Sequence, residues 1–270
     1  MRVLVGLAMG ALAATSMTVT ASSGHSRESM VHHRIVSVDA SKSNNWSGYN
    51  QGMLEKGGTT FHEISATWTV PTATAHKAGE DEFSSTWVGI GGGCVNSGCT
   101  VTDGTLIQAG TEQDVDTQGR ASYSTWWEII PAPSIAAPLA VKAGDAVHVQ
   151  VVEDMPAVWT ISIQNLTTGQ SFRQSPITYT STHATAEFIE ETPVAVSNSG
   201  RVQVGPLPNL STVTFDPGTV NHGSPGLVPA EAIQLVDANS TPLATPSNPD
   251  SDADGFNDCA YASSCGVNPS

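Results

Sequence analysis

Two short runs of this sequence each set one amide or carboxylate against apolar neighbours in the alternation of a β-strand. In Leu106-Ile107-Gln108-Ala109-Gly110, an extended chain puts Ile107 and Ala109 on one face and Gln108 on the other, with Glu112 following on the Gln108 side. In Ala184-Thr185-Ala186-Glu187-Phe188-Ile189-Glu190, the residues Ala184, Ala186 and Phe188 share a face, and Thr185, Glu187 and Ile189 share the opposite one. The run Tyr123-Ser124-Thr125-Trp126-Trp127-Glu128 puts Trp126 and Glu128 together and Trp127 on the other side. A carboxylate can take a proton from water, and a side-chain amide can donate to a developing oxyanion while staying neutral at every pH. Taken singly, a strand Gln or Glu is ordinarily a solvated side chain, and a strand Trp is ordinarily core.

Other hydrolytic chemistries lack their residues. No Gly-x-Ser-x-Gly occurs. His62-Glu63 begins like the zinc motif HExxH, but position 66 is Ala. Neither Asp-Thr-Gly nor Asp-Ser-Gly is present. What remains is carboxylates, amides and aromatics, the inventory of a glycosidase or of an unusual peptidase.

These residues need strands to position them, and the sequence supplies many. Thr60–Val70, Ser84–Ile90, Thr105–Gly110, Ala121–Ile130, Ala146–Val152, Val158–Asn165, Ser171–Thr180, Ala184–Glu190, Arg201–Val204 and Thr212–Phe215 are rich in Val, Ile, Thr, Trp and Tyr. Turn signals such as Glu55-Lys56-Gly57-Gly58 and Lys142-Ala143-Gly144-Asp145 separate them. Helical periodicity and solenoid-length repeats are absent. Short strands with frequent turns indicate an all-β fold, a two-sheet antiparallel β-sandwich of the jelly-roll, concanavalin-like kind.

The formal charge is −15, yet charged residues make up only 13% of the 270. From residue 44 onward the only Lys and Arg are Lys56, Lys77, Arg120, Lys142, Arg173 and Arg201. Such a surface repels nucleic acid and anionic lipid, and it avoids a large positive charge in acid. Residues 1–23 read as a secretory signal, with Arg2 before the apolar run Val3–Ala14 and small residues at Ala21-Ser22-Ser23. The expected product is a secreted, extracellular monomer that engages neither nucleic acid nor membrane. Export makes disulfides plausible for Cys94, Cys99, Cys259 and Cys265. Local pairing is the simplest of the three connectivities; metal ligation is the alternative, but neither spacing is CxxC and no His sits nearby. No metal or other cofactor is expected. Residues 24–43, with His25, His32 and His33, read as a propeptide or flexible lead-in, and 44–270 as the folded domain. Asp250-Ser251-Asp252-Ala253-Asp254-Gly255 resembles the start of a calcium loop, but an EF-hand needs a Glu where Tyr261 stands. A solvated acidic turn before a last strand is the expectation there.

Six segments in order sharpen this reading. Asn45-Trp46-Ser47-Gly48-Tyr49, Ala66-Thr67-Trp68-Thr69-Val70-Pro71, Thr86-Trp87-Val88-Gly89-Ile90-Gly91-Gly92, Leu106–Gly110, Tyr123–Glu128 and Ala186–Glu190 resemble the ordered motifs of the glutamic peptidases, the eqolisin family. The resemblance runs from about Asn44 to the final strand. It implies a two-sheet sandwich, an active site on one sheet's concave face, polypeptide substrates, and a catalytic dyad of Gln108 and Glu187. Supporting residues implied in the same way are Trp46, Trp87, Glu112, Trp126, Glu128 and Glu190. The sequence departs from the fungal pattern at Gly91 and Ser124, where acidic residues are usual, and at Phe188, where Trp is usual. The rivals are a jelly-roll glycoside hydrolase using Glu128 and Glu187, and a carbohydrate-binding sandwich with no catalysis.

Overall fold

The computed structural model describes residues 32–196 and 202–269. Residues 1–23, read as a secretory signal, and the first part of the expected lead-in lie outside the described residues. Thirteen principal strands carry the fold: β1 (Trp46–Gly52), β2 (Glu63–Thr69), β3 (Ser85–Gly91), β4 (Leu106–Val115), β5 (Ala121–Ile129), β6 (Ala146–Met155), β7 (Val158–Asn165), β8 (Gln170–Thr178), β9 (Thr185–Glu191), β10 (Val213–Val220), β11 (Ala232–Val236), β12 (Pro242–Pro246) and β13 (Phe256–Ala260). The described helical content is one 3-10 turn, Pro229–Glu231. Among the described residues, no helix is long and apolar enough to cross a membrane.

Hydrogen-bonded neighbours run β8-β7-β6-β2-β10-β13-β12-β11-β1-β9-β3-β4-β5. All these pairings are antiparallel; among the described residues one parallel pairing joins β11 to the short strand Lys42–Ser43 of the lead-in. The path folds back on itself, so that β1, β9, β3, β4 and β5 face β2, β6 and β7 across a shared core. Period-two alternation fills that core. Val147, Val149 and Val151 of β6 and Ile161 and Ile163 of β7 come from one side, and Val88, Ile90, Ile107 and Ala109 of β3 and β4 from the other. Each large apolar side chain buried this way is worth about 1.5–3 kcal/mol. The Trp68 indole N–H donates to Thr111 Oγ1 at 3.1 Å, tying β2 to β4 across the core. The all-β, antiparallel expectation holds, and the path linked through β11 and β12 adds that the two halves are one continuous hydrogen-bonded system.

The expected disulfides form as Cys94–Cys99 and Cys259–Cys265. Thr212–Phe215 was expected to end at Phe215, yet β10 runs on through Pro217 to Val220, with a register shift between Phe215 and Gly218. The shift leaves Asp216 and Pro217 out of the ladder, where a residue without an N–H does no harm.

The core also holds acids. Glu190 points inward from β9, where the Thr86 hydroxyl donates to its Oε2 at 2.6 Å. Burial holds the Glu190 carboxyl well above the usual range, with Asp258 and Glu191 adding repulsion. Burial likewise pushes Asp258 up to about 7, and Asp114, half-buried on the outer face of β4, is pushed up to about 7 by burial and by repulsion from Glu112. Carboxyls released by unfolding titrate at about 4. Between about pH 4 and 7 the folded chain therefore holds protons that the unfolded chain gives up, so stability grows as pH falls through that window. Thermal unfolding should show a higher Tm at pH 4 than at pH 7.5; an equal or lower Tm at pH 4 would contradict this.

Candidate active site

Register places the site. Glu187 of β9 pairs with Asn50 of β1 on one side and Gly89 of β3 on the other. Gly89 in turn pairs with Gln108 of β4, and Gln108 with Glu128 of β5. Directly opposed residues in an antiparallel sheet point the same way. Asn50, Glu187, Gly89, Gln108 and Glu128 therefore form one row across five strands, on the face turned away from the shared core. Gly89 is its centre. A Cβ there would come within 3.0 Å of Gln108 Cβ and of the Trp87 ring. Without one, a gap lies between Gln108 and Glu187, whose backbones are two strand intervals, about 9.6 Å, apart.

The end groups of this row are desolvated. Gln108 and Glu187 are both fully buried. Gln108 Nε2 donates to Glu128 Oε2 at 2.6 Å, while its Oε1 meets no donor. The Glu187 oxygens meet no donor in good geometry, although the Thr185 hydroxyl and the Gly93 N–H lie on their side. Burial, and then the charge of Asp103, hold the Glu187 carboxyl well above its usual range, and those two neighbours only temper the shift. Burial pushes Glu128 up to about 7, against the pull of His32 and of the Gln108 hydrogen bond. The loop after β3 closes over Glu187. A Cβ on Gly93 would lie 2.5 Å from Glu187 Oε1 and 1.7 Å from Asn50 Oδ1, so only glycine lets the backbone pass there. Asn50 pins the loop by donating to the Cys94 carbonyl at 2.8 Å and accepting from the Cys94 N–H at 2.7 Å.

One turn of alternation along the strands lies an aromatic group. Trp46, Trp87 and Trp126 occupy the same face as the row, with Trp46 and Trp87 edge to face at 5.0 Å. None is open to solvent, and the described part of the lead-in packs against the same cluster. The His32 ring stacks on Trp126 at 3.8 Å, and Ile35 joins the same apolar cluster while its N–H donates to the Gly92 carbonyl. Glu191 anchors this cover from beneath. Its carboxylate accepts from Trp87 Nε1 at 2.8 Å and from the His33 N–H at 3.2 Å, and His32 Nδ1 lies 3.2 Å away. Burial alone would lower the His32 imidazole, but Glu191, with Glu128 and Glu112 behind it, raises it. A raised His pKa means the contact is intact in acid and weakens as pH rises through that value.

The structure thus brings Gln108, Glu187, Glu128, Trp46, Trp87 and Trp126 to one face. Glu112 shares the face further along β4, where it accepts from the Ser124 hydroxyl at 3.1 Å. Glu190 lies on the opposite, core face. The three departures also have physical reasons. Gly91 has φ +96°, and a Cβ would lie 2.2 Å from the Thr105 carbonyl, so no acidic side chain fits. Ser124 supports Glu112, and Phe188 packs inward against Phe215. Sequence reasoning missed Asn50, Gly89 and Glu191, and it noted His32 only as part of a lead-in, without its contact to the site. Parity could have found Glu191, since 187, 189 and 191 alternate on one face; the contact of His32 with Trp126, some ninety residues away in the chain, left no local signal.

Comparison with known proteins places this geometry. The sequence model of the peptidase A4 family matches residues 44–254. Scytalidopepsin B of Scytalidium lignicola is 28% identical over 143 residues, which are 53% of this chain and 48% of that protein, so the match spans about half the length of that relative. A crystal structure of scytalido-glutamic peptidase with a transition state analog inhibitor superposes with a TM-score of 0.59, at 21% identity, over 80% of this chain and 98% of that one. A structure of SCP-B, a member of the eqolisin family, in complex with the tripeptide Ala-Ile-His gives a TM-score of 0.55 at 20% identity, with the same coverage of both chains. These likenesses concern the fold. The family match covers most of the chain, including the whole Asn50–Glu128 row, and the chain belongs to the peptidase A4 family, the eqolisins or glutamic peptidases.

Proposed function

We propose that this chain is a secreted endopeptidase that hydrolyses polypeptides in acid, with Gln108 and Glu187 as its catalytic pair on one face of a jelly-roll sandwich. The observation that carries this reading is the in-register row in which Gln108 and Glu187 flank Gly89. A scissile peptide and a water fit over a glycine and not over a side chain. Glu187 takes a proton from the water and returns it to the leaving amine. Gln108 donates from Nε2 to the developing oxyanion, and its unpartnered Oε1 is available to the water. Glu128 orients the Gln108 amide, and Trp46, Trp87 and Trp126 bound the cleft. The two disulfides, with the leader-like residues 1–23, support export. The glycosidase rival fits poorly. Glu128 and Glu187 stand three strand intervals, about 14 Å, apart at the backbone, with Gln108 between them. Gln108 takes up space between the two carboxyls and engages Glu128 at 2.6 Å.

In the same reading, residues 24–43 are a propeptide that holds the enzyme closed. A fully buried Glu187 with a raised pKa stays protonated in acid and is no base. Displacing His32–Ile35 and the loop after β3 rehydrates the face and returns Glu187 toward an ordinary, partly ionised carboxyl. Because the His32 contact is intact in acid, cleavage of the lead-in, and not His32 titration, is the release step.

Glu187→Gln and Gln108→Ala should each lower cleavage of a denatured protein at about pH 3, with pepstatin present, by at least about 10²-fold while leaving Tm close to wild type. Wild-type rate in either variant would sink the assignment. Full-length protein that retains residues 32–43 should be inactive until cut, and His32→Ala should shorten the lag before activity. Equal rates for intact and processed chains would remove the propeptide reading.

A further inference from the structure

The acidic turn Asp250–Gly255, between β12 and β13, has no part in the peptidase reading. The EF-hand comparison fails at position twelve, where Tyr261 replaces the closing carboxylate. The fold supplies a carboxylate from elsewhere. The register shift in β10 leaves Asp216 out of its ladder, and the Gly218 N–H donates to the Asp254 carbonyl at 2.7 Å, which draws the turn against β10. One carboxylate oxygen each from Asp216, Asp250 and Asp254 then lie within 4.8 Å of one another. Three oxygens that far apart share a point about 2.8 Å or less from each, so a small inward movement of the side chains brings all three to a calcium–oxygen bond of about 2.3–2.6 Å.

A second observation points to a ligand there. Asp250 is only 8% exposed, and its Oδ2 is shielded from solvent and meets no hydrogen-bond donor; the same is true of Asp254 Oδ1. Buried carboxylate oxygens are normally satisfied by a donor or a cation. The turn is built to keep Asp250 in place. Its backbone N–H donates to the Gly255 carbonyl at 3.0 Å, and its Oδ1 accepts from the Asp254 N–H at 3.2 Å. Oδ2 passes over Gly255, where a Cβ would stand 2.3 Å away. Gly255 is the glycine of the Asp-x-Asp-x-Asp-Gly pattern, and here it makes room for a carboxylate.

We propose that Asp216, Asp250 and Asp254 form a calcium site that clamps the β12–β13 turn to β10. An all-carboxylate set suits a hard cation. Calcium accepts six to eight oxygens in flexible geometry, whereas magnesium demands a near-ideal octahedron and keeps its water. Asp252, on the exposed side of the turn, adds negative charge beside the site. The proposal departs from the expectation of a merely solvated turn and is independent of the peptidase reading.

The test is calorimetric titration of calcium chloride into full-length protein stripped with EDTA, at pH 7, with thermal unfolding in parallel. One site should appear, with a Kd of about 10⁻³ M or tighter, and Tm should rise by about 4 °C or more in 10 mM calcium. Magnesium should give less than half that rise. Asp250→Asn and Asp216→Asn should each abolish the calcium response. Absence of binding heat together with equal Tm in calcium and EDTA for the wild-type chain would overturn the site. So would an Asp216→Asn protein that keeps the full calcium response, because the turn would then bind without β10.

Discussion

One constraint organises this molecule: antiparallel register across β1, β9, β3, β4 and β5. A strand has only two faces, and a slip of one residue in any of the five would send that strand's polar group into the shared core. Because the register holds, Asn50, Glu187, Gly89, Gln108 and Glu128 line up outside while Tyr49, Phe188, Val88, Ala109 and Trp127 pack inside. The inner residues supply the stability that fixes the register, and the fixed register holds the outer row. Folding energy and site geometry are two readings of one pairing scheme.

The same row explains the electrostatics. A face of buried acids would be costly in its ionised form, and the chain meets that cost by burial-raised carboxyls and by covering them. Glu187 and Glu128 are shifted toward the neutral form where they stand, and Glu190 and Asp258 do the same on the core side. Such a structure is at ease in acid. It also separates holding a carboxyl in place from using it as a base, since the second needs water. The lead-in over Trp126 and the loop over Glu187 divide those two states.

Much of this was legible in the sequence because strand alternation is local. Gln108 with Glu112, and Trp126 with Glu128, share faces as their spacing requires, and the close cysteines pair locally. What depends on distant contacts was not legible. Trp46–Gly52 did not read as a strand from its own composition, with Gly48 and Gly52 and polar Ser47, Asn50 and Gln51, yet it is buried on both faces between β9 and β11. Ala232–Val236 and Pro242–Pro246 were likewise passed over, whereas Phe256–Ala260 is the last strand expected after the acidic turn. They are short, and their pairing with one another secures them. Glu190 was grouped with Glu187 through a motif, although the two are three residues apart and must face opposite ways. Asp216 gained its neighbours only through a register shift, which no periodicity announces.

The central claim is that Gln108 and Glu187 act as one unit across Gly89. A double-mutant cycle on kcat/KM for peptide cleavage by the processed enzyme measures that coupling directly. Residues that act in one step are strongly non-additive. The account predicts that the Gln108→Ala, Glu187→Gln double variant is little slower than the worse single variant. Losses that multiply, so that the double variant falls by the product of the two single effects, would contradict it.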